Sequence, residues 1–568
     1  MKINTINKFL IAIAMLCTIG CVNEEDLDLN QFNTLSGDDL DAETLVIAAY
    51  SALDYRYNTG EGSDNRPFDH APSNWATSDI RSGDAYKGGG GTGDNPGGGM
   101  HQLEVHSPFP DSGNVYNLWR AIYFGLKRID TALRFLNGLE DGAFSNKDVR
   151  MGELYVLRAH FYFEAMKNFG SIVWYDENTP ITELNSLTNT FDEAFIWEKI
   201  EEDLNKAIAL LPNTQEDLGR ANGVVANAYL AKAHLFQREW SDVIEHADLV
   251  IGSGQYGLVE DIERLYSEPG YGNFENVFAI QFSIDDGSQF GNLNFGDLLN
   301  SPDSQGNDNN HPYVNGDDFH KPSQNLANAY KVDSQGLPLF NSYASQNLTA
   351  NDLVDPRIDH VIGRPGITWK NWTIQPQQLV WSRDPGSYGF FVRKKNIIYP
   401  ASEGLSADPP GFPWAQGNLD FPLIKFSDVL LWKAEALIEQ GNVPPAVEII
   451  NTIRNRAKNT PYVKDFTNPS EDAANYLINP YPTNISSNLA MEALRFERRL
   501  ELANEGHRFY DLVRWGIAID YVSEYIQTEQ TNRGYLAGVS LQEHEQYLPI
   551  PQVEIDASGG LYTQRQGY

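Results

Sequence analysis

Helical periodicity in two separate blocks, residues 115–255 and residues 424–525, is the strongest constraint on how this chain folds. In the first block, apolar side chains recur along one helical face at Leu154, Leu157, Phe161 and Ala165. Gly170 follows this run in the position of a helix C-terminal cap. The pattern predicts helical hairpins.

The second block repeats this organisation, with an Ala- and Leu-rich helix, a turn, and a second helix that opens with Pro444 and Pro445. Helix pairs of about 34 residues with small residues at their crossing are typical of tetratricopeptide-type repeats. Sequence rich in Gly, Pro, Asn and Asp fills residues 60–112 and 285–420. We therefore predict a mainly α fold, a tetratricopeptide-like helical repeat scaffold with large irregular loop insertions, over residues 41–568.

The first residues have the organisation of an export signal. Lys2 and Lys8 precede an apolar run, residues 9–19, that is too short to cross a bilayer, which needs about 20 apolar residues. We expect residues 1–20 to be a signal peptide and residues 21–40 to be a tether.

Cysteine usage indicates lipidation. The chain has two cysteines, Cys17 and Cys21, and removal of the signal takes Cys17 with it, so the mature chain has no internal disulfide. Residues 18–21 resemble a bacterial lipobox, in which the cysteine becomes the acylated N-terminus. Each buried CH₂ of an acyl chain contributes about 0.8 kcal/mol to membrane binding. We predict that Cys21 carries a lipid anchor in the membrane; the alternative is a stray cysteine in an ordinary signal peptide.

Charge excludes one class of partner. The 42 Lys and Arg residues oppose 77 Asp and Glu residues, which leaves a formal net charge of −35. Such a chain repels nucleic-acid phosphates, and no basic patch is visible in the sequence to offset the repulsion. We expect no nucleic-acid binding.

Segment 493–516, ALRFERRLELANEGHRFYDLVRWG, carries a family resemblance. It resembles the signature ERR-x-EL-x-x-EG-x-R-x-x-DL-x-RWG of the SusD/RagB family of outer-membrane nutrient-binding lipoproteins. The matching positions are Glu497, Arg498, Arg499, Glu501, Leu502, Glu505, Gly506, Arg508, Asp511, Leu512, Arg514, Trp515 and Gly516. Segments 219–236, 426–442 and 547–568 resemble further family segments in the same order.

The signature segment also has a meaning independent of the resemblance. Its apolar residues share one helical face at Ala493, Phe496, Leu500 and Ala503. Its Arg and Glu residues alternate along the other faces, where they are expected to pair with each other, and Gly506 is expected to end the helix. This interpretation makes the segment architectural.

The resemblance implies a role at the cell surface. Members of the family capture a glycan without catalysis and deliver it to a SusC-like TonB-dependent outer-membrane transporter, so the expected location is the outer membrane, facing outwards through a lipid anchor. Peptide ligands also occur in the family. Members bind different ligands through different loop residues, so the resemblance does not assign the ligand contacts.

Ligand-binding residues are expected in the irregular loops that a rigid scaffold positions. Segments 64–99 and 355–396 combine indole rings, which stack on the apolar faces of sugars, with polar groups for sugar hydroxyls. The candidates are Trp75, Asp79, Arg81, Asp84, Lys87, Trp369, Trp372, Trp381 and Tyr388. Ordinary packing beneath a loop is the alternative interpretation of each Trp.

Two other classes of function stay open at this stage. A secreted glycoside hydrolase needs only a pair of carboxylates, and 77 acidic residues always offer some suggestive pair. A peptide-binding or structural surface protein is the third possibility.

No zinc helix, nucleophile elbow or phosphate-binding loop occurs in the sequence, so no cofactor is expected. The Asp- and Asn-rich residues 301–311 could offer oxygen ligands to Ca²⁺, but they do not fit an EF-hand loop and no metal site is assigned.

Overall fold

The computed structural model describes residues 41–55, 71–283, 294–297, 299–303, 316–370, 381–398, 406–407 and 416–568. The signal peptide, the tether and Cys21 lie outside these residues. The α-helices of the described chain are α1 Ala42–Tyr50, α2 Ile80–Ser82, α3 Met100–Glu104, α4 Gly113–Gly138, α5 Lys147–Phe169, α6 Glu193–Leu210, α7 Gly223–Gln237, α8 Trp240–Gly252, α9 Ile262–Leu265, α10 Gln324–Ala329, α11 Ile358–Val361, α12 Pro385–Tyr388, α13 Phe426–Glu439, α14 Val443–Asn459, α15 Ser487–Glu501, α16 Arg508–Arg514, α17 Ala518–Glu529 and α18 Gln552–Ala557.

The long helices form one continuous stack that joins the two sequence blocks. Each of α4 to α7 packs on the next, and α13 then packs on α8, α14 and α15. Close approach is possible because small residues face the contacts: a Cβ atom at Gly125 of α4 would lie 2.5 Å from the ring of Phe161 on α5. The helical repeat scaffold predicted from the periodicity is confirmed.

Strands are short and occur in two-stranded sheets among the described residues. They are β1 Ala85–Gly88, β2 Asn276–Ile280, β3 Phe319–Pro322, β4 Leu353–Val354, β5 Ile362–Gly363, β6 Val392–Arg393, β7 Ser406–Ala407, β8 Gln416–Gly417, β9 Phe421–Lys425 and β10 Asn475–Tyr476. Two of the sheets connect loop segments to each other or to the helical scaffold. β1 pairs antiparallel with β3, and β2 pairs antiparallel with β9, so each sheet joins segments distant in the sequence.

The helix ends follow the local signals in the sequence with one exception. Gly170 caps α5 with a φ of +70°, and the two prolines occupy the first turn of α14. The signature helix α15 ends at Glu501, however, and not at Gly506. Gly506 lies in the connection to α16 with a φ of +77°, and a Cβ atom there would lie 1.8 Å from the carbonyl oxygen of Ser73, so no side chain fits.

Charged residues of the signature segment pair with distant partners, which corrects the expectation that they pair along one helix. Glu497 accepts hydrogen bonds from Arg357 at 2.6 Å and from Arg454 at 3.0 Å, and all three side chains are buried. Glu501 likewise pairs with Arg456 of α14. Because a buried charge is costly without a partner, these pairs fix how the loops and α14 dock on α15. The segment is architectural, through contacts between elements.

None of the described helices is both long and apolar enough to cross a membrane.

Candidate functional site

Trp75 opens the first described loop, in a single π-helical turn, Trp75–Asp79. Its side chain is only 1% exposed. The indole ring stacks on the imidazole of His320 with centroids 5.3 Å apart, and its Nε1 donates to the carbonyl of Gly296 at 3.4 Å. Trp75 therefore packs the loop against β3, and its ring is not available to a ligand from solution.

The acidic candidates of this loop are buried as well. Asp79 accepts hydrogen bonds from the backbone N–H of Gly506 at 3.0 Å and lies 2.8 Å from Nε2 of His320. Burial, and then the neighbouring carboxylate of Asp84, raise the pKa of Asp79 well above its usual range. Asp84 itself pairs with Arg499 of α15 at 2.8 Å. Both carboxylates connect the loop to the signature segment.

The two cations of the loop also face inwards. The guanidinium of Arg81 lies 3.9 Å from the ring centroid of Phe509 and donates to the carbonyl of Glu545. The ammonium of Lys87 donates to the carbonyls of Gly88 at 2.8 Å, Gly91 at 3.0 Å and Asp94. Burial lowers the pKa of Lys87 to about 8. Lys87 thus acts as a cation that the glycine-rich loop folds around.

The aromatic candidates of the second loop form a small core of their own. Trp369 and Trp381 meet edge to face with centroids 5.0 Å apart, among buried residues of β6 and the segment after it. Tyr388 is fully buried and meets Tyr86 and Tyr535 at centroid distances of 6.2 Å and 5.6 Å. Trp372 lies outside the described residues.

All eight candidates that the structure describes are buried. A Trp or Tyr buries about 150–250 Å² when it packs; Trp75 lies on β3, Tyr388 meets Tyr86 of β1, and Trp369 and Trp381 pack beside β6. The burial of Trp75, Trp369 and Trp381 fits the alternative interpretation, ordinary packing beneath a loop. A glycine-rich loop lacks apolar side chains of its own but still folds onto residues supplied by other segments.

The structure does bring the two predicted loops together. At their meeting point, Nη1 of Arg383 lies 3.1 Å from Asp94 and 3.2 Å from Asp317. All three side chains are 27–30% exposed. We name this surface, Gly89–Asp94 with Asp317, Arg383 and Asp384, the loop junction.

The loop junction is held in place by the buried groups beneath it. Asp94 accepts the backbone N–H of Gly90 at 2.8 Å, and the backbone N–H of Arg383 donates to Asp318 at 2.9 Å. Asp318 is fixed by the ammonium of Lys321, 2.7 Å away. A planar guanidinium between two carboxylates presents donors and acceptors side by side, which matches the hydroxyl pairs of a sugar.

Sequence reasoning missed Asp94 and Asp317, because nothing distinguishes them among 77 acidic residues. A position in the glycine run is no signal either, since Lys87 stands beside the same run and is buried.

Metal-ligating groups lie elsewhere. In the described part of the chain, one group of three, Glu201, His234 and Glu239, brings potential ligand atoms within 4.8 Å of one another. Nδ1 of His234 lies within hydrogen-bonding distance of Glu239, at 2.6 Å. Of the Asp- and Asn-rich run considered for Ca²⁺, residues 304–311 fall outside the described chain.

Comparison with known protein families decides which family the chain belongs to. A profile described as "SusD family" matches residues 274–568, which is more than half of the sequence. The chain belongs to the SusD family. A second profile, described as "Starch-binding associating with outer membrane", matches residues 27–235. The resemblance drawn from segment 493–516 is thus confirmed.

Several SusD relatives are distant in sequence but match over most of their length. "SusD-like protein P25" of Formosa agariphila is 22% identical over 464 residues, which cover 78% of this chain and 77% of the relative. The surface glycan-binding protein A structure from Bacteroides fluxus aligns with a TM-score of 0.67 at 21% identity, covering 93% of this chain and 99% of that one. The same-named Bacteroides thetaiotaomicron protein, in complex with laminarihexaose, aligns with a TM-score of 0.62 at 20% identity, with coverages of 92% and 98%. At this identity the structural matches establish the SusD fold.

Proposed function

We propose that this SusD-family protein is a lipid-anchored glycan-binding protein of the outer-membrane surface, which captures an oligo- or polysaccharide and delivers it to a SusC-like TonB-dependent transporter. The observation that carries the proposal is the loop junction, where Arg383 of the second loop lies at the surface between Asp94 of the first loop and Asp317, which precedes β3. Names of similar structures add support, because they describe glycan-binding and laminarin-binding proteins.

The loop junction is suited to binding a glycan without cleaving it. Sugar hydroxyls exchange hydrogen bonds with water for hydrogen bonds with the protein, so the net gain is largest where the protein groups are already oriented. Lys87 and Asp318 provide that orientation from below, through the carbonyls of the glycine loop and the backbone of Arg383. Binding therefore needs little ordering of the loop.

The carboxylates of the loop junction are poor candidates for a hydrolase. Glycoside hydrolysis needs a carboxylic acid with a raised pKa to protonate the leaving group. At Asp384, burial acts to raise the pKa, but hydrogen bonds from Ser387 outweigh it and hold the pKa below the usual range. Asp94 is engaged by Arg383. We therefore expect capture of intact glycan.

The test uses the soluble chain beginning at Val22 on affinity gels and in calorimetry with a broad glycan panel, with product analysis of the same samples. Arg383→Ala should weaken binding of the recognised glycan at least tenfold. Lys433→Ala is the matched control, because Lys433 is also a partly exposed cation with one carboxylate partner, Asp248, on the helical scaffold. Cleaved glycan would contradict the proposal, as would equal affinity of the Arg383 and Lys433 variants.

The anchor and the transporter need separate tests. Cys21→Ala in the full chain should release the protein from the membrane fraction and abolish incorporation of labelled fatty acid. Affinity purification of the lipidated protein should recover a TonB-dependent barrel in stoichiometric amount. Membrane retention of the Cys21 variant would refute the anchor, and purification without a barrel would refute the delivery step.

A further inference from the structure

A second surface recess lies away from the loop junction, between α1, the connection from α6 to α7, and β2. Its deeper part has a cavity volume of about 240 Å³ and is floored by β2 residues Val277, Phe278 and Ala279. It continues into a hollow of about 400 Å³ beside α1. The two parts share Gly219 and Arg220 in their walls, so they form one cleft. It has no residue in common with the loop junction.

Neutral amide side chains dominate the polar lining of this cleft. They are Gln215, Asn222, Gln255, Asn273, Asn276 and Gln281. A neutral amide offers a donor and an acceptor on one planar group, and so it can bond both partners of a vicinal hydroxyl pair. The enrichment is notable in a chain with a formal net charge of −35. We name this surface the amide cleft.

Charges in the amide cleft are few, and the cation is already engaged. Arg220 pairs with the buried carboxylate of Glu153 at 3.0 Å and also with Glu43. Asp217 lies at the rim, 3.6 Å from Nε of Arg220, with its side chain 73% exposed, and Asp54 lines the part beside α1. Because Arg220 is paired, an anionic ligand would find no unpaired cation among the lining residues, and the amides favour a neutral ligand.

Apolar and aromatic surface completes the lining. The half-buried ring of Tyr256 lies in the deep part, and its hydroxyl accepts from the amide of Asn222 at 3.4 Å. In the shallow part, Leu218 is 71% exposed and Ile47 is 53% exposed, although both are large apolar side chains. The apolar C–H faces of a sugar can pack on such groups while its hydroxyls meet the amides.

Hydrogen bonds hold the wall of the amide cleft at Asn222, while the side chains of two other lining residues are unengaged. Asn222 caps α7 by accepting from the N–H groups of Val224 and Val225 at 2.9 Å and 3.0 Å. By contrast, the side-chain amides of Gln255 and Asn273 form no hydrogen bond with the described part of the chain. Donors and acceptors on a rigid wall that have no partner within the protein are the groups a ligand would use.

We propose that the amide cleft is a second carbohydrate-binding site, specific for a neutral oligosaccharide segment. The ligand class rests on the proposed function, whereas the location does not. Two sites on one chain hold one polysaccharide more tightly than either site alone, because engagement at the first raises the effective concentration at the second. The amide cleft then retains a long glycan while the loop junction binds another part of it.

The experiment is calorimetric titration of the soluble chain with neutral hexasaccharides, laminarihexaose among them, and with the matching polysaccharides. The cleft variant is Gln255→Ala with Asn273→Ala, two changes that remove no hydrogen bond within the described protein. Gln335→Ala, an exposed amide elsewhere, is the control. We expect two hexasaccharides per wild-type chain, one per cleft variant, one per Arg383→Ala chain, and at least a tenfold loss of polysaccharide affinity in either variant.

The outcomes separate the two proposals. A single hexasaccharide site that is lost in Arg383→Ala and unchanged in the cleft variant would overturn the amide cleft and leave the proposed function standing. A single site that is lost only in the cleft variant would support the amide cleft and overturn the loop junction as the capture surface. No binding to any saccharide by folded protein would overturn both.

Discussion

The guanidinium of Arg499 in the signature helix contacts the carboxylate of Asp84 in the first loop at 2.8 Å, across 415 residues of sequence. Both side chains are 1% exposed. Arg499 also donates to the side-chain oxygen of Asn325 at 2.7 Å. One residue of the family signature thereby fixes the loop that leads into β1 and, through it, the position of the loop junction.

Removing one partner of this buried pair should be strongly destabilising. We expect Arg499→Met to cost about 3–5 kcal/mol, because it leaves the carboxylate of Asp84 buried without its cation. Thermal and chemical unfolding measure the loss. The exposed pair Lys464–Asp472 is the control, since Lys464→Met should cost about 0–1 kcal/mol. The double variant Arg499→Met, Asp84→Leu should recover part of the stability; a double variant less stable than Arg499→Met would contradict this account.

Lys87 should determine the order of the glycine-rich loop. Lys87→Met keeps much of the side-chain volume but removes the ammonium that three loop carbonyls accept from. We expect faster hydrogen exchange across residues 88–95, with unchanged protection in the helical scaffold, and weaker glycan binding at the loop junction. Unchanged exchange in this segment would show that the glycine loop holds its conformation without the cation.

Trp75 and Trp381 should matter for stability and not directly for binding. Truncation of a buried Trp to Ala costs about 3–5 kcal/mol through lost packing and a residual cavity, and both rings are 1% exposed. We expect lower melting temperatures for Trp75→Ala and Trp381→Ala, measured by calorimetry. At temperatures where the variants remain folded, a glycan affinity that falls while the melting temperature is retained would instead identify the ring as a ligand contact.

Buried histidines should make the fold sensitive to mild acid. Burial lowers the pKa of His106 to about 3 and that of His160 to about 4. The unfolded chain binds these protons near pH 6.5 and the folded chain does not, so their contribution to stability is complete above pH 6.5 and declines as the pH falls towards the folded-state values. Buried carboxyls with a raised pKa, such as Asp79, act in the opposite direction, so the histidine contribution is isolated by comparison: between pH 7 and pH 5 we expect the melting temperature of His106→Asn to change less unfavourably than that of the wild type. Equal slopes would contradict the assignment.

Helices and family membership were accessible from the sequence because their signals are local. Apolar spacing on one face, Gly170 and the paired prolines specify helices through contacts within a few residues. The end of α15 was not predicted correctly, since Glu501 and the residues after it turn towards partners on α14 and the loops. Such partners leave no trace in a short sequence window.

The candidate site was likewise predictable only in part from the sequence. Composition alone indicated which two loops carry the polar and aromatic residues, and the structure brings those loops together at Arg383 and Asp94. Which of their side chains face solvent depended on β1 pairing with β3, more than 230 residues later in the chain. That pairing buries Trp75 beside His320 and leaves Asp94 at the surface.

The sequence by itself determined the helical repeat scaffold, the SusD-family relationship and the expectation of an exported, lipid-anchored chain, because periodicity, signature spacing and cysteine position are properties of short segments. Only the tertiary structure decided that Asp84 is a buried partner of Arg499, and that the amide cleft exists at all. Burial depends on surfaces that distant segments supply. The sequence around a charged or aromatic residue is the same whether or not those surfaces cover it.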